Sequence, residues 1–370
     1  MENDMANPIR VLLCGTGNRA FPKNPEGSNF AGWVEMIQKS TCADLVAAQD
    51  IEGKNLQRIE SSGVLHSDQL FTDLDEALEN VPCDAVLVCP IVEAHADCIR
   101  RALKSGRHVL VEKPLVSRLS DAVALARQAK QRGLTVGVVQ NWRGKSVGQA
   151  LRKAISDRQI GRVGNIFFRY VRNREYIHLP SYLFEEPYPL LYALGIHHLD
   201  LFRYILGENI VSVSGTGFRP PWTGYSSYPG VALNMVTESG VHISYAGTFS
   251  SKGQHTALEN LLIDGEFGTL TNESDWGDPP LMLSTTDSPE AQDLTADVTA
   301  RDIRSQYDLS DTHILQDFCD SIRLGRPPLC PIEDNLWTLA ALEASVEACE
   351  TEGEVQVSNV LARAGLNGGV

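Results

Sequence analysis

Basic residues, long apolar runs and paired cysteines are all scarce in this sequence. The 32 Lys and Arg are outnumbered by 47 Asp and Glu, leaving a net charge of −15. That balance argues against a nucleic-acid partner, because phosphate binding needs a positive surface, and against attachment to anionic lipid. An anionic small molecule stays possible, since a helix N-terminus can hold phosphate inside an acidic protein. No apolar run reaches the roughly 20 residues that span a bilayer. The opening MENDMANPIR is acidic and does not read as a secretory leader. The eight cysteines (Cys14, Cys42, Cys83, Cys89, Cys98, Cys319, Cys330 and Cys349) make no CxxC pair, so a zinc ribbon is not expected. A chain of this length without a disulfide framework suits a reducing compartment, and the expected location is cytoplasmic. HxH and HExxH spacings are absent too, and no metal is expected. Internal repeats and low-complexity tracts are likewise missing.

What is present is an ordinary globular composition, 43% hydrophobic over 370 residues, enough for about two domains with sizeable cores. Through residue 140, short apolar runs alternate with helix-length segments. Ile9–Cys14, Asp44–Gln49, Ala85–Cys89, His108–Val111 and Thr135–Val139 read as strands. Phe30–Lys39, Lys54–Ser61, Leu74–Glu79, His95–Ser105 and Ser120–Arg132 read as helices. The strands are near-continuous apolar runs, as expected of a parallel sheet covered on both faces. The alternation implies a doubly wound Rossmann domain over 1–142.

After residue 150 the pattern changes. A helix over Lys145–Arg158 and a long one over Tyr188–Leu206 are interspersed with strands at Gly164–Arg172, Ile210–Phe218, Val231–Thr237, His242–Ser250 and Leu261–Asp264. Runs of strands of this kind imply an α+β domain over 143–370 with a large, mostly antiparallel sheet. The polar stretch Glu273–Ala300 reads as loop, and Asp311–Leu324 and Asp334–Thr351 as helices.

The first strand runs into Gly15-Thr16-Gly17-Asn18-Arg19-Ala20. Glycines there permit a tight turn and close approach of backbone N–H groups to a pyrophosphate. Asp50 closes the second strand, where a carboxylate accepts from an adenosine ribose and repels a 2′-phosphate. The expected cofactor is NAD, with NADP possible if Lys54 or Arg58 compensates. The other reading of Asp50 is a cap on the following helix. Ala20 stands where a third glycine is usual, and Phe21–Gly27 is inserted before the helix, either as a cover for the cofactor or as a solvated loop.

His108-Val109-Leu110-Val111-Glu112-Lys113-Pro114 resembles the signature of the Gfo/Idh/MocA family, the dehydrogenases grouped with glucose–fructose oxidoreductase and inositol dehydrogenase. Pro90 with His95, the GxHxxD string Gly195-Ile196-His197-His198-Leu199-Asp200, Gly265–Leu270, Asp317-Phe318, Pro331 and Asp334-Asn335 agree in order and spacing. The resemblance covers nearly the whole chain. It implies hydride transfer between nicotinamide C4 and a hydroxyl-bearing carbon of a sugar or cyclitol, with Lys113 and His197 catalytic.

Lys113 can hydrogen-bond the reacting oxygen or take its proton, and Glu112 would hold the lysine or its backbone. Pro90, His95, Glu112 and Lys113 join the glycine turn (Gly15, Thr16, Gly17, Asn18, Arg19) and Asp50 as expected cofactor contacts. Asn141, Trp142, Arg143, Tyr192 and His197 are the expected substrate contacts, with a plain hinge as the other reading of 141–143. His198 reads as a core histidine, and Asp200 as a local orienter.

One departure matters. The resemblance implies an aspartate one turn before His197, and Ala193 stands there. Tyr192, Tyr188, Glu185 and Glu186 are the nearby replacements; Tyr176, His178, Tyr182 and Trp222 lie in loops that could reach a polyol. The alternatives to a sugar dehydrogenase are a non-catalytic NAD(P)-binding regulator and a dihydrodiol dehydrogenase or carbonyl reductase. A homodimer or homotetramer is expected through the open sheet face.

Overall fold

The computed structural model describes residues 7–24, 28, 30–175, 186–253, 258–274 and 277–366. The chain divides into two compact units. One runs to Gly144 and takes in Tyr307–Leu336; the other holds Lys145–Gln306 and resumes at Trp337. Part of the C-terminal chain thus belongs to the first unit, whose leading segment ends at Gly144.

In the first unit, strands β1 (Ile9–Cys14), β2 (Ala43–Gln49), β3 (Leu70–Phe71), β4 (Ala85–Val88), β5 (His108–Val111) and β6 (Val136–Val138) form one parallel sheet. Its order is β3-β2-β1-β4-β5-β6, the Rossmann arrangement. The strands are buried because α1 (Trp33–Lys39), α2 (Gly53–Ser61), α3 (Leu74–Asn80), α4 (Val92–Lys104) and α5 (Leu119–Arg132) join them and cover apolar runs such as Leu12, Leu13, Val86 and Val109.

Two features were not legible in sequence. β3 has only two residues, too few to show a period. Helix α1 starts at Trp33, after Gly32 at φ 92°, rather than at Phe30. Helix α8 (Ile303–Leu324) lies in this unit from Tyr307, and its Ile314, Leu315, Phe318 and Cys319 join the core of β1 and α1. Gly137 of β6 makes room for it: a Cβ there would stand 3.2 Å from the Phe318 ring.

The second unit contains α6 (Ser146–Ser156), α7 (Ile196–Leu206) and a nine-stranded sheet. Its strands are β7 (Val163–Val171), β8 (Ile210–Phe218), β9 (Gly230–Thr237), β10 (His242–Thr248), β11 (Glu259–Gly265), β12 (Gly268–Ser274), β13 (Met282–Thr285), β14 (Ser288–Asp293) and β15 (Val355–Gln356). Their order is β14-β13-β12-β11-β7-β10-β9-β8-β15, antiparallel except for β7 against β10. Ile166, Phe168, Tyr170, Ile243, Tyr245 and Leu261 alternate onto the buried face. The β13–β14 hairpin corrects the loop expected over 273–300: β13 has only four residues, and the edge strand β14, Ser288–Asp293, is mostly polar, so neither shows the alternation that reveals a strand. Helices α9 (Ile332–Thr351) and α10 (Val357–Arg363) complete the chain. No helix among the described residues is long and apolar enough to cross a membrane.

Candidate active site

In a Rossmann sheet the strand order reverses between β1 and β4, and ligands bind outside the carboxyl ends there. Gly15 follows β1 and Pro90 follows β4. Gly15 has φ +85°, and a Cβ on it would lie 2.5 Å from the Pro90 nitrogen, so only glycine fits. A Cβ on Gly17 would meet nothing within 4 Å, which leaves backbone open beside the turn. Ile51 and Ile91, just past the ends of β2 and β4, are 83% and 68% exposed. Apolar side chains left bare at this edge are apolar walls for a flat ligand, a signal that the sequence pattern alone does not carry. The glycine cradle and this wall fit a dinucleotide.

Asp50 is anchored rather than dangling. One oxygen accepts from the Thr16 amide (2.7 Å) and hydroxyl (2.9 Å) and from Asn55 (3.2 Å); the other accepts from the Glu52 amide (2.8 Å). The carboxylate therefore ties the glycine turn to the approach of α2, but it does not cap that helix: the N-cap position is Glu52, with no side-chain cap. Lys54 pairs with Glu52 at 3.0 Å, and Arg58 donates to the Phe21 carbonyl at 2.7 Å while its guanidinium lies over the Phe21 ring. Asn18 accepts from the Lys23 amide at 3.0 Å. Asn18 and Arg58 thus hold the described start of the insertion; residues 25–27 lie outside the described residues.

Glu112 and Lys113 follow β5. Glu112 is buried; its Oε1 accepts from the Trp33 indole at 2.8 Å and pairs with Arg19 at 2.7 Å, and its Oε2 faces the Lys113 amide at 3.3 Å. The carboxylate thus reaches the backbone of Lys113, one of the two roles expected for it. Arg19 stands in the glycine turn among the expected cofactor contacts, and its side chain bridges Glu112 and Asp311 of α8. His95 is buried, with Nδ1 2.9 Å from the Pro114 carbonyl and Nε2 3.3 Å from that of Pro90. Burial lowers its pKa, so a neutral ring donates through Nδ1 and supports the backbone just after Lys113. His95 is a brace for the site's backbone. Lys113 itself is partly exposed.

Asn141, Trp142 and Arg143 are buried in the first unit. Arg143 pairs with Asp334 at 2.5 Å and donates to the Leu329 carbonyl at 2.9 Å, and Ser310 donates to the Asn141 carbonyl. These contacts fasten 141–143 to the segment around 329–334 within the first unit.

In the second unit, the helix begins just before a wide π turn, Leu191–Gly195, that runs into α7. His197 is buried on α7. His198 lies in the core, its Nδ1 3.0 Å from the Tyr245 hydroxyl and its ring 4.5 Å from that of Phe168. Asp200 accepts from Thr338 at 2.9 Å, which in turn accepts from Arg203 at 2.8 Å; it orients α7 against α9. Tyr192 is pushed up to about 12 by burial, with Glu186 and Glu343 adding to the effect. A phenol so placed donates a hydrogen bond but takes no proton near neutrality. Tyr188 is buried and stacks on Tyr228, and Trp222 donates to the Ser250 carbonyl at 3.0 Å. Tyr176, His178, Tyr182 and Glu185 lie outside the described residues.

Comparison with known proteins agrees with this geometry. Residues 9–140 match the model of the Gfo/Idh/MocA oxidoreductase family, NAD-binding Rossmann fold, and residues 152–357 match that of its C-terminal alpha/beta domain. The chain is 23% identical to an uncharacterised protein of Sinorhizobium fredii, over 89% of this chain and 93% of that one. It is 24% identical to a 1,5-anhydro-D-fructose reductase of Ensifer adhaerens, over 78% and 84% of the two chains. Its fold is similar to that of an Agrobacterium radiobacter oxidoreductase crystallised with NAD+, L-tartaric acid and magnesium (TM-score 0.83, 20% identity, 95% and 99% of the two chains). With both domain models matched over most of its length, the chain belongs to the Gfo/Idh/MocA family of NAD-binding oxidoreductases acting on CH–OH groups.

Proposed function

We propose that the protein is an NAD-dependent dehydrogenase of a free sugar or cyclitol, oxidising a ring hydroxyl or the anomeric carbon. The observation that carries this reading is the intact Glu112-Lys113-Pro114 string, braced by Arg19, Trp33 and His95. The relative named as a 1,5-anhydro-D-fructose reductase and the neighbour holding L-tartaric acid support a polyhydroxylated substrate.

The Gly15–Gly17 turn would hold the pyrophosphate, and Asp50 the adenosine side. When bound, the nicotinamide supplies or accepts the hydride. Lys113 orients the reacting oxygen by hydrogen bonding and serves as its proton acceptor, and His197 assists as an acid–base or orienting group. No carboxylate supports His197 from position 193, so Lys113 carries the larger share.

A panel of aldoses, cyclitols and diols assayed for NADH formation tests the reading: turnover is expected on a sugar or cyclitol. The alanine at 193 favours one other reading, a non-catalytic NAD-binding regulator. Thermal stabilisation by NAD with no turnover on any member of the panel would establish that reading instead. The open face of the nine-stranded sheet is the proposed self-association surface.

A further inference from the structure

The Arg19 side chain is the centre of a charged cluster within the first unit. Its Nε pairs with Glu112 at 2.7 Å, and its Nη2 lies 2.9 Å from both oxygens of Asp311. The guanidinium carbon stands 5.0 Å from the ring centroids of both Phe30 and Trp33. Trp33 donates its indole N–H to the same Glu112 oxygen that Arg19 holds. Asp311 is fully buried, and Glu112 nearly so.

Two buried carboxylates sharing one partly buried guanidinium are a costly arrangement for stability alone, and well-packed apolar residues often serve as well. A guanidinium fork fixes two carboxylates at once with defined geometry, which a lysine cannot do. One end of this fork is on α8. The other end fixes Glu112, whose remaining oxygen faces the amide of Lys113. On the far side of Lys113, His95 holds the Pro114 carbonyl. The backbone on either side of Lys113 is thus held by buried side chains.

We infer that Arg19 and Asp311 are positioning residues for the reaction: they fix Glu112, and through it Lys113, and Arg19 makes no contact with the cofactor phosphates. This rests on the assignment of Lys113 as the group acting on the substrate oxygen.

The test uses the full-length chain with Arg19→Lys, Arg19→Met and Asp311→Ala. Three measurements are compared with wild type: the rate of trace acetylation of Lys113 read by mass spectrometry, with exposed Lys54, Lys104 and Lys130 as internal references; the dissociation constants of NADH and ADP-ribose; and kcat and KM on the best polyol of the panel. The expected result is a Lys113 labelling rate changed about threefold or more, with the reference lysines unchanged and both dissociation constants within about threefold of wild type. Arg19→Lys should fall between wild type and Arg19→Met, because it keeps the charge and loses the fork. On substrate, kcat should fall about tenfold or more with little change in KM, the pattern of a displaced acid–base group.

Wild-type labelling of Lys113 in both Arg19→Lys and Asp311→Ala would overturn the inference. So would a loss of ADP-ribose affinity of about tenfold or more in Arg19→Lys, whatever Lys113 does, since Arg19 would then hold the cofactor. If Arg19→Met does not fold, the other two variants decide. If wild type turns over no polyol, the substrate proposal fails by itself, and the labelling and binding measurements still decide the role of Arg19.

Discussion

Gly15 and Lys113 set the requirements of the site at the level of single residues, one by what it lacks and one by what it carries. A methyl group on Gly15 would collide with the Pro90 and Cys89 backbone, at 2.5–2.8 Å, and the residue's φ of +85° is itself unfavourable for alanine. Neither neighbour is a flexible side-chain end that can move aside. Gly15→Ala should therefore cost about 3 kcal/mol or more and weaken NADH binding strongly; urea unfolding and an NADH titration check both. Lys113 is partly exposed and outside the core, so Lys113→Ala should fold normally and bind NADH while kcat falls by about 10²–10⁴. Near-full turnover by this variant would rule out its assigned role. Asp50 leads to a third expectation. Its carboxylate is held in place by Thr16, Glu52 and Asn55, and the two nearby cations expected to compensate for a 2′-phosphate are engaged, Lys54 with Glu52 and Arg58 with Phe21. NAD should be preferred over NADP in kcat/KM, by about tenfold or more, equivalent to about 1.4 kcal/mol; a preference for NADP would refute this.

Among the elements, α8 joins legibility and energetics. Its apolar residues read as a helix, but no local pattern says that Phe318 packs over Gly137 or that Asp311 reaches Arg19, almost three hundred residues earlier. The Rossmann strands were legible because burial on both faces writes itself as unbroken apolar runs. The glycine turn and the Glu112-Lys113-Pro114 string were legible because backbone constraint and chemistry are local there. The β13–β14 hairpin escaped because β13 is four residues long and β14 is mostly polar, and β3 because two residues have no period. The partners of Arg19, Arg143 and His95 escaped because a side chain's target is set by tertiary packing.

Asp311 illustrates the energetic consequence. Burial pushes its carboxyl up to about 6 although Arg19 pulls the other way. The folded state then holds this proton more tightly than the unfolded state. The associated stability is fully present below about pH 4, the ordinary aspartate range, and is lost as pH rises through about 6. Comparing wild type with Asp311→Asn, the difference in unfolding free energy should change by at most roughly 3 kcal/mol between pH 4 and pH 7, with wild type losing relative stability as pH rises. Parallel pH profiles for the two proteins would show that Asp311 titrates normally.

At the scale of the whole molecule, the nine-stranded sheet leaves one face to be accounted for. Helices cover neither Phe167, 48% exposed on β7, nor its neighbours in register, Leu262 on β11 and Ser244 on β10. Together with Ala232, Ala246 and Thr271 they line a shallow depression of about 620 Å³. The residues there are small, apolar or uncharged, apart from Arg169, which is hydrogen-bonded to Asn260, and Glu273. A solvated face of an antiparallel sheet usually carries charge instead. A broad flat surface of this composition is able to bury the ~800 Å² per partner of a standard stable interface. Two copies meeting here would form a symmetric pair in which each Phe167 packs on the other subunit's sheet. Light scattering after size exclusion should therefore give a multiple of the 40.6 kDa chain mass. Phe167→Asp should shift the population toward single chains by about tenfold or more in dissociation constant, since it removes a central aromatic anchor and introduces like charges across the symmetry axis. Because Phe167 lies on the face opposite the buried side chains of β7, the variant should keep its NADH affinity. A monomeric wild type, or an assembly indifferent to Phe167→Asp, would move the self-association surface off this sheet.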